Sequence, residues 1–303
     1  MDRDDAVMSD WQQRALRLEA EVARAVIGQA RTVRLVNTAV FARGHVLLQG
    51  DVGVGKTTLL RAFAQVLGGN FARIEGTIDL MPGDLIYYTY IGADGRPAVE
   101  AGPLIRHGEN LAIFFFNEIN RARPQVHSLL LRVMAERSVA AFNREFRFPH
   151  LLVFADRNRV EREETFEISA AARDRFMLEV AIDTPADESE RRQLMIEPRF
   201  HDTDRLIGEL DSALVAYQEL NQVGEVIQRC VQASVALPRY ALDLWQATAT
   251  PADYGVRLPG LDVSQLMLAG ASPRGMSLLM RAARVAAWLA GRGHVTPEDV
   301  QAV

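Results

Sequence analysis

Residues 50–57 form the pattern Gly-x-x-x-x-Gly-Lys-Thr, whose residue types can bind the phosphates of a nucleotide. A short apolar segment, 45–49, precedes the pattern, and a helical segment, 57–67, follows it. The glycines let backbone N–H groups curl around phosphate oxygens, and the helix N-terminus adds its positive dipole. We therefore expect Lys56 to reach the β- and γ-phosphates of ATP and Thr57 to bind Mg²⁺.

A second pair of polar residues, Asn117 and Glu118, follows the apolar segment 111–116. Glu118 is placed to orient and polarise the attacking water as a general base. Asn117 is expected to face Mg²⁺ through a water, and its neutral amide provides no negative charge to hold the ion. The pair predicts a weakened metal site, and the alternative is that Asn117 only ends a strand.

Three further residues are candidates because of their position. Asn158 follows the apolar segment 151–155. On a strand beside that of Asn117, its amide can hydrogen-bond the attacking water or the γ-phosphate. Arg175 and Arg274 can complete an ATP site, but a solvated surface arginine explains either of them equally well from the residues alone.

The elements that must position these residues follow from the apolar pattern. Segments 111–116 and 151–155 are continuously apolar, and 177–182 is apolar except at Glu179, which is typical of parallel strands covered by helices on both faces. From residue 184 onward, apolar positions recur at helical spacing. The sequence predicts an α/β fold, with an αβα sandwich and a mostly parallel sheet over 1–183 and a smaller all-helical domain over 184–303.

Two segments of the first domain do not fit a simple alternation of strands and helices. Residues 76–108 are rich in Gly, Pro, Tyr and Asp, and residues 137–149 have the pattern of two short strands joined by a turn. Both are predicted to be insertions. Loops of this length are usually functional, and Tyr87, Tyr88 and Tyr90 suggest contact with a partner.

Composition excludes several classes of protein. The chain has 303 residues, a net charge of -5 and a pI of about 5.8, so no strong positive field attracts nucleic acid or anionic lipid. A single cysteine, Cys230, excludes an internal disulfide framework and suits a cytoplasmic protein. The N-terminus lacks the apolar region of a signal peptide, and the longest apolar run, 111–116, is too short to cross a bilayer. The last helical segment begins only a few residues before Val303, which is compatible with a longer native chain.

Taken together and in order, these residues resemble the MoxR family of AAA+ ATPases, in the group with an insertion in the second helix. The resemblance extends over most of the chain. The matching segments are 27–29, 44–48, 50–57, 79–84, 117–122, 161–165, 174–176 and 270–274. It implies ATP/ADP and Mg²⁺ as cofactors. The implied nucleotide-binding residues are Ile27, Gly28, Asp51, Val52, Gly53, Val54, Gly55, Lys56, Thr57 and Thr58.

The resemblance also implies roles that the residues alone do not show. Asn158 resembles sensor 1, Arg175 the arginine finger of a neighbouring subunit's site, and Arg274 sensor 2 on the helical lid. A finger supplied by a neighbour implies a homo-oligomer, usually a hexameric ring. The insertions resemble the helix-2 insert and the hairpin before sensor 1, on the pore or substrate face. The implied catalytic residues are Glu118, Asn158, Arg175 and Arg274, and the implied metal ligands are Thr57 and Asn117.

Some positions depart from the family pattern. The family's Asp-Glu, Pro-Pro and Asn-Pro pairs are replaced by Asn117-Glu118, Arg123-Pro124 and Asn158-Arg159, and acidic residues stand before the finger at Glu164 and Glu167. The missing acid at Asn117 bears most directly on chemistry, since it removes charge from the metal site. We therefore expect a divergent member with weak Mg²⁺ affinity and slow turnover.

The resemblance leads to three hypotheses of function. The first is an ATP-driven chaperone that acts with a von Willebrand factor A-domain partner to mature or activate a client enzyme, for example by aiding metal-cofactor insertion into methanol dehydrogenase. The second is a scaffold that assembles with ATP but hydrolyses it negligibly because of Asn117. The third, a DNA-dependent AAA+ protein, is disfavoured by the acidic pI and the lack of a basic cluster.

Overall fold

The structure is a computed structural model that describes residues 3–159, 166–257, 259–260 and 270–303. The motif at 161–165, with Glu164, lies outside the described part of the chain. No helix among the described residues is both long and apolar enough to cross a membrane.

The strands and helices are numbered here in chain order. The strands are β1 (His45–Gly50), β2 (Asn70–Glu75), β3 (Tyr87–Ile91), β4 (Pro97–Ala101), β5 (Leu111–Asn117), β6 (Ser138–Ala141), β7 (Arg144–Arg147), β8 (Leu152–Asn158), β9 (Phe176–Ala181), β10 (Gln232–Ala233) and β11 (His294–Val295). The helices are α1 (Arg3–Ala23), α2 (Ala30–Phe41), α3 (Lys56–Leu67), α4 (Pro124–Glu136), α5 (Ala170–Arg173), α6 (Glu188–Ile196), α7 (Thr203–Gly208), α8 (Leu220–Cys230), α9 (Leu237–Ala249), α10 (Pro273–Leu289) and α11 (Pro297–Ala302).

Contacts divide the chain into a larger compact unit, 13–222, and a smaller one that combines 1–12 with 223–303. This division comes later than the boundary predicted after residue 183. Residues 184–222 belong to the larger unit, in which α7 packs on α3 and Arg61 pairs with Asp204 at 2.6 Å.

The centre of the larger unit is a five-stranded sheet in the order β2-β5-β8-β1-β9. Every neighbouring pair in it is parallel. All residues of β5 are buried, as its continuous apolar run predicts. The α/β fold with a parallel sheet is therefore confirmed, and the carboxyl ends of its strands share one edge.

The predicted insertions contain two antiparallel hairpins outside this sheet. Strands β3 and β4 pair in the first segment, and β6 and β7 pair in the second. At the turn between β6 and β7, Phe142 and Asn143 have positive φ angles of 51° and 59°. The ring of Phe142 meets that of Tyr87 edge-on at 5.8 Å, so the two hairpins touch through aromatic side chains.

The smaller unit is mainly helical, as predicted, and contains α9, α10 and α11. It also holds the two-residue parallel pair of β10 and β11, which is too short to produce a recognisable apolar period. The first residues of the chain belong to this unit because they bond to α10. Gln12 donates to the Trp288 carbonyl at 2.6 Å, and the Trp288 indole donates to the Met8 carbonyl at 3.1 Å.

Candidate nucleotide site

The loop between β1 and α3 has the backbone conformation that its glycines permit. Gly53 and Gly55 have φ angles of 81° and 90°, in the left-handed region that other residues rarely adopt. A Cβ atom on Gly50 would lie 2.3 Å from the carbonyl oxygen of Ile182. Helix α3 then begins at Lys56, so its unpaired N–H groups face the loop. The predicted strand–loop–helix arrangement is present.

A cavity of about 270 Å³ lies between this loop and the carboxyl ends of β5 and β8. Parallel strands bring their carboxyl ends to the same edge, which is where ligands bind in such sheets. The lining therefore includes most of the predicted site residues. It consists of Val52, Gly53, Gly55, Lys56, Thr57, Thr58, Asn117, Glu118, Asp156 and Asn158.

The ammonium group of Lys56 is held at the wall of this cavity. It donates to the carbonyl oxygens of Gly50 at 3.0 Å and Asp51 at 2.8 Å, and to Oδ1 of Asn158 at 2.7 Å. Its side chain is nearly buried, with 6% of the residue exposed. These three acceptors are neutral oxygens, so a phosphate in the cavity would meet a positive charge that they do not neutralise.

Asn117, at the end of β5, is hydrogen-bonded to Thr57 on α3 and to Glu75 on the neighbouring strand β2. Its Oδ1 accepts a hydrogen bond from the Thr57 hydroxyl at 3.3 Å, and its Nδ2 donates to Glu75. A carboxylate can only accept hydrogen bonds, so the amide group that faces Glu75 must be the Asn117 NH₂. The Asn117 amide oxygen therefore faces Thr57. Glu75 also accepts from Arg73 at 2.8 Å. Asn117 thus presents an oxygen to the side where Thr57 is expected to hold Mg²⁺.

Glu118, the predicted general base, has both carboxyl oxygens engaged. Oε1 accepts from Nδ2 of Asn158 at 3.2 Å, and Oε2 accepts from Nη1 of Arg121 at 3.0 Å. Its backbone is left-handed, with φ at 51°. Each carboxylate oxygen has a second lone pair, so these two bonds leave Glu118 with acceptor capacity for a water molecule.

Asp156 is a site residue that our reading of the sequence missed. It lies on β8, it is 2% exposed, and its Oδ1 accepts the backbone N–H of Glu118 at 2.6 Å. Burial raises the pKa of Asp156 to about 6, although the Glu118 N–H and the charge of Lys56 act to lower it. The signal in the sequence was an acid placed between the apolar segment 151–155 and Asn158.

The oxygen donors of this cavity suit a hard divalent ion. Thr57 offers a hydroxyl, Asn117 an amide oxygen and Asp156 a carboxylate, which are the donor types that Mg²⁺ prefers. Across the described part of the chain, no three His, Cys, Asp or Glu side chains are grouped to hold a metal. A divalent ion here would therefore share its coordination with phosphate oxygens and water, as is usual for Mg²⁺.

A second cavity, also about 270 Å³, continues from the loop on its other side. The two cavities share Gly53, Gly55 and Thr58. Its lining is mostly apolar, which suits a flat aromatic base. The remaining lining residues are Ala25, Val26, Ile27, Gln29, Val54, Thr184, Pro185, Leu194, Phe200, Thr203 and Leu206.

Gly28 and Gln29 fix the backbone of segment 25–29, which contributes to the lining of this second cavity. Gly28 has φ at 72°, and a Cβ there would lie 2.6 Å from the Pro185 ring. Gln29 donates to the carbonyl of Asp183 at 2.6 Å. The lining residues from 185 onward were missed because they fall in a segment that the sequence assigned to the other domain.

The two predicted arginines belong to different units of the chain. Arg175 is half-buried beside β9 and lines neither cavity. Its backbone N–H donates to the Ala172 carbonyl at 3.1 Å, but its guanidinium has no ion-pair or hydrogen-bond partner within the described ranges. By contrast, the side chains of Arg157 and Arg173 both pair with Glu179. Arg274 belongs to the smaller unit, in the first turn of α10. The roles of both arginines stay predictions.

Comparison with known proteins places this geometry in context. The ATPase family associated with various cellular activities (AAA) matches residues 45–178, and an AAA lid domain matches residues 261–303. Protein MoxR of Methylorubrum extorquens is 58% identical over 99% of this chain and 87% of its own length. Chaperone MoxR1 of Mycobacterium tuberculosis is 35% identical over 92% of this chain and 70% of its own length. The crystal structure of a candidate ATPase from Cytophaga hutchinsonii matches with a TM-score of 0.79 and 26% identity, over 98% of this chain and 86% of that one.

Proposed function

Because this chain belongs to the MoxR family of AAA ATPases, we propose that it binds ATP with Mg²⁺ at the phosphate loop and hydrolyses it slowly to drive a chaperone activity. The observation that carries this proposal is the convergence of Lys56, Thr57, Asn117, Glu118 and Asn158 on one cavity. These groups come from three different elements, and a glycine-rich turn without function would not require them to meet.

Each part of the nucleotide has a matching part of the chain. The apolar second cavity receives the base, and the loop N–H groups and Lys56 receive the phosphates. Thr57 and Asn117, which are hydrogen-bonded to each other at 3.3 Å, would hold the metal through their side-chain oxygens. When bound, Mg²⁺ would neutralise charge that develops on the phosphates.

The chemical step is assigned to Glu118 and Asn158. The Glu118 carboxylate, which keeps a free lone pair on each oxygen, can take a proton from the attacking water. Asn158 bridges Lys56 at 2.7 Å and Glu118 at 3.2 Å, so it links the phosphate-binding cation to the base. Slow turnover is proposed from the neutral amide of Asn117, which gives the metal site less negative charge than a carboxylate would.

The wider function is a ring that remodels a client. Arg175 is proposed to complete the site of a neighbouring copy, with Arg274 as a second sensor, in a homo-oligomer that the family suggests is a hexamer. One relative is named as a chaperone. A von Willebrand factor A-domain protein as partner and an enzyme such as methanol dehydrogenase as client are proposed from the family resemblance.

A nucleotide-dependent scaffold with negligible hydrolysis is the second candidate. Two observations favour it: Asn117 is neutral, and Glu118 is held by both Arg121 and Asn158. In such a protein ATP would order the site and the assembly, but the water would not be activated. Binding of ATP is common to both candidates, so only the rate of hydrolysis separates them.

Steady-state ATPase assays across a range of Mg²⁺ concentrations test the choice. We expect the native chain to hydrolyse ATP above the background of Lys56→Ala, and Glu118→Gln to bind ATP but fall to that background. Asp253→Asn, which removes an exposed acid remote from the loop in sequence, is the control for loss of charge alone. Native activity equal to the Lys56→Ala background at saturating Mg²⁺ would reject the motor and leave the scaffold.

A further inference from the structure

Three polar residues stand side by side at the carboxyl edge of the sheet. Glu75 on β2 pairs in register with Asn117 on β5. On the other side, Phe116 pairs with Ala155, so Asn117 and Asp156 on β8 are the next residues in register. The neutral amide of Asn117 therefore has an acid on each neighbouring strand.

Only one of these acids belongs to the cavity. Asp156 lines it and is almost fully buried, whereas Glu75 is not part of the lining and has a side chain that is half exposed. Glu75 is also bonded to Arg73 and to Asn117. Its charge is therefore partly neutralised and directed at the amide rather than at the cavity.

Asp156 has an unused hydrogen-bonding capacity. One carboxyl oxygen accepts the Glu118 N–H at 2.6 Å, and the described residues provide no second hydrogen-bond donor. A buried carboxylate with an open acceptor is costly unless a cation or water satisfies it. The residue lies in the lining that also contains Thr57, where the divalent ion is expected.

We propose that Asp156 supplies the negative charge for the divalent ion that Asn117 lacks, through water on the ion, and also positions the backbone of Glu118. This inference rests on the proposed function, since it concerns the same ATP site. The negative charge that the family has at the position of Asn117 on β5 lies here on the neighbouring strand β8, at the adjacent register position. Asp156 is then a positioning residue for both the ion and the base.

The first test is Asp156→Asn, which keeps an acceptor oxygen for the Glu118 N–H and removes only the charge. The affinity for Mg²⁺ is measured in the presence of ATP by calorimetry, and Mn²⁺ binding is measured by electron paramagnetic resonance. We expect metal affinity to fall about 10- to 100-fold, as for other residues that support a metal ligand. ATP binding in EDTA should stay at the native level, and Asp253→Asn should leave both values unchanged.

The second test transfers the negative charge from β8 back to β5. The double variant Asn117→Asp with Asp156→Asn has the native net charge and an acid on β5. If Asp156 acts through its charge, this variant should recover most of the metal affinity that Asp156→Asn loses. A residue needed only for packing or for holding Glu118 would not be replaced by an acid at 117.

The outcomes are distinguishable. Native metal affinity in Asp156→Asn, with ATP binding intact, would overturn this inference and leave the proposed function standing. A loss that the double variant does not recover, in protein whose circular dichroism and thermal unfolding match the native chain, would also overturn it. Failure of the native chain to bind ATP would instead overturn the proposed function, and this inference with it.

Discussion

Lys56 is the only lysine among the 303 residues, and every other strong side-chain cation is an arginine. A lysine ammonium is a compact point charge with three rotatable donors, whereas a guanidinium is a planar fork. In the structure this ammonium already donates to three oxygens around the loop. A phosphate can replace one of them without a large rearrangement, which suits a cation that must bind and release nucleotide.

The single lysine allows a direct test of ATP binding. Lys56 and the α-amino group are the amines of this sequence that acetic anhydride can acetylate, and peptide mass spectrometry measures both rates. We expect ATP to slow acetylation of Lys56 by about tenfold or more, because a bound phosphate occupies the ammonium. The α-amino group serves as the internal reference. An unchanged Lys56 rate at ATP concentrations up to the millimolar range would contradict binding at this loop.

At the scale of an element, the N-terminus of the last helix, α11, is capped by one buried acid, Asp299. Asp299, in α11, accepts from Arg292 at 2.7 and 2.5 Å and from the backbone N–H of Thr296 at 2.9 Å. Thr296 is the residue before the helix, so the pair forms a capping box. Burial acts to raise the pKa of Asp299, but the bonds from Arg292 and Thr296 outweigh it and hold the pKa below its ordinary value.

Asp299→Ala is expected to lower the free energy of unfolding of the smaller unit by about 2 to 3 kcal/mol, since Arg292 and the Thr296 amide lose a buried acceptor. Because the folded pKa is lowered, the stabilisation is complete above the ordinary carboxyl pKa and is lost as the pH falls through the lowered value. Urea unfolding followed by tryptophan fluorescence reports on this unit, since Trp11, Trp245 and Trp288 all belong to it.

The exposed Asp253→Ala is the matched control for this substitution and should change the unfolding free energy little. The difference between Asp299→Ala and the native chain should narrow at acid pH, where native Asp299 is itself protonated. A difference that stays constant from neutral to acid pH would show that the carboxylate charge contributes nothing to the cap.

At the scale of the whole molecule, the open question is whether one copy completes the site of another. The guanidinium of Arg175 has no partner within the described residues, while that of Arg173, two residues earlier, pairs with Glu179 at 2.7 Å. An arginine that is held by an acid of its own chain is less available to a neighbouring phosphate. This contrast supports Arg175 as the residue offered to a neighbouring copy.

Mixing two inactive variants tests this arrangement. Arg175→Ala is expected to lower the ATPase rate at least about tenfold, as loss of an arginine finger does. Lys56→Ala lacks its own site but still carries Arg175. In a mixed oligomer, Lys56→Ala subunits should restore hydrolysis at neighbouring Arg175→Ala sites, and sedimentation velocity should show that both variants assemble.

The control is Arg173→Ala, which should retain most of the native rate. No gain of activity on mixing, in samples where sedimentation shows mixed oligomers, would contradict a finger supplied by a neighbour. The same result would leave Arg175 as a solvated arginine, which is the alternative that its residue type allows.

Local features of this protein were readable from the sequence. The phosphate loop is contiguous, and its glycines, lysine and threonine act through neighbouring backbone, so their order along the chain contains the information. Continuous apolar runs likewise predicted buried parallel strands, because a strand covered on both faces needs apolar side chains at every position. The family and the class of fold followed from the order of such local motifs.

Strand order was decided only by the tertiary structure. Placement of β5 between β2 and β8 puts Glu75 and Asp156 on either side of Asn117, and these three residues are far apart in sequence. Packing of residues 184–206 against the rest of the larger unit likewise formed the second cavity. The apolar period of a segment reports which of its faces is buried, but not which segment covers that face. The sequence therefore determined the phosphate loop and the type of fold, and long-range packing decided which charges lie beside the expected metal.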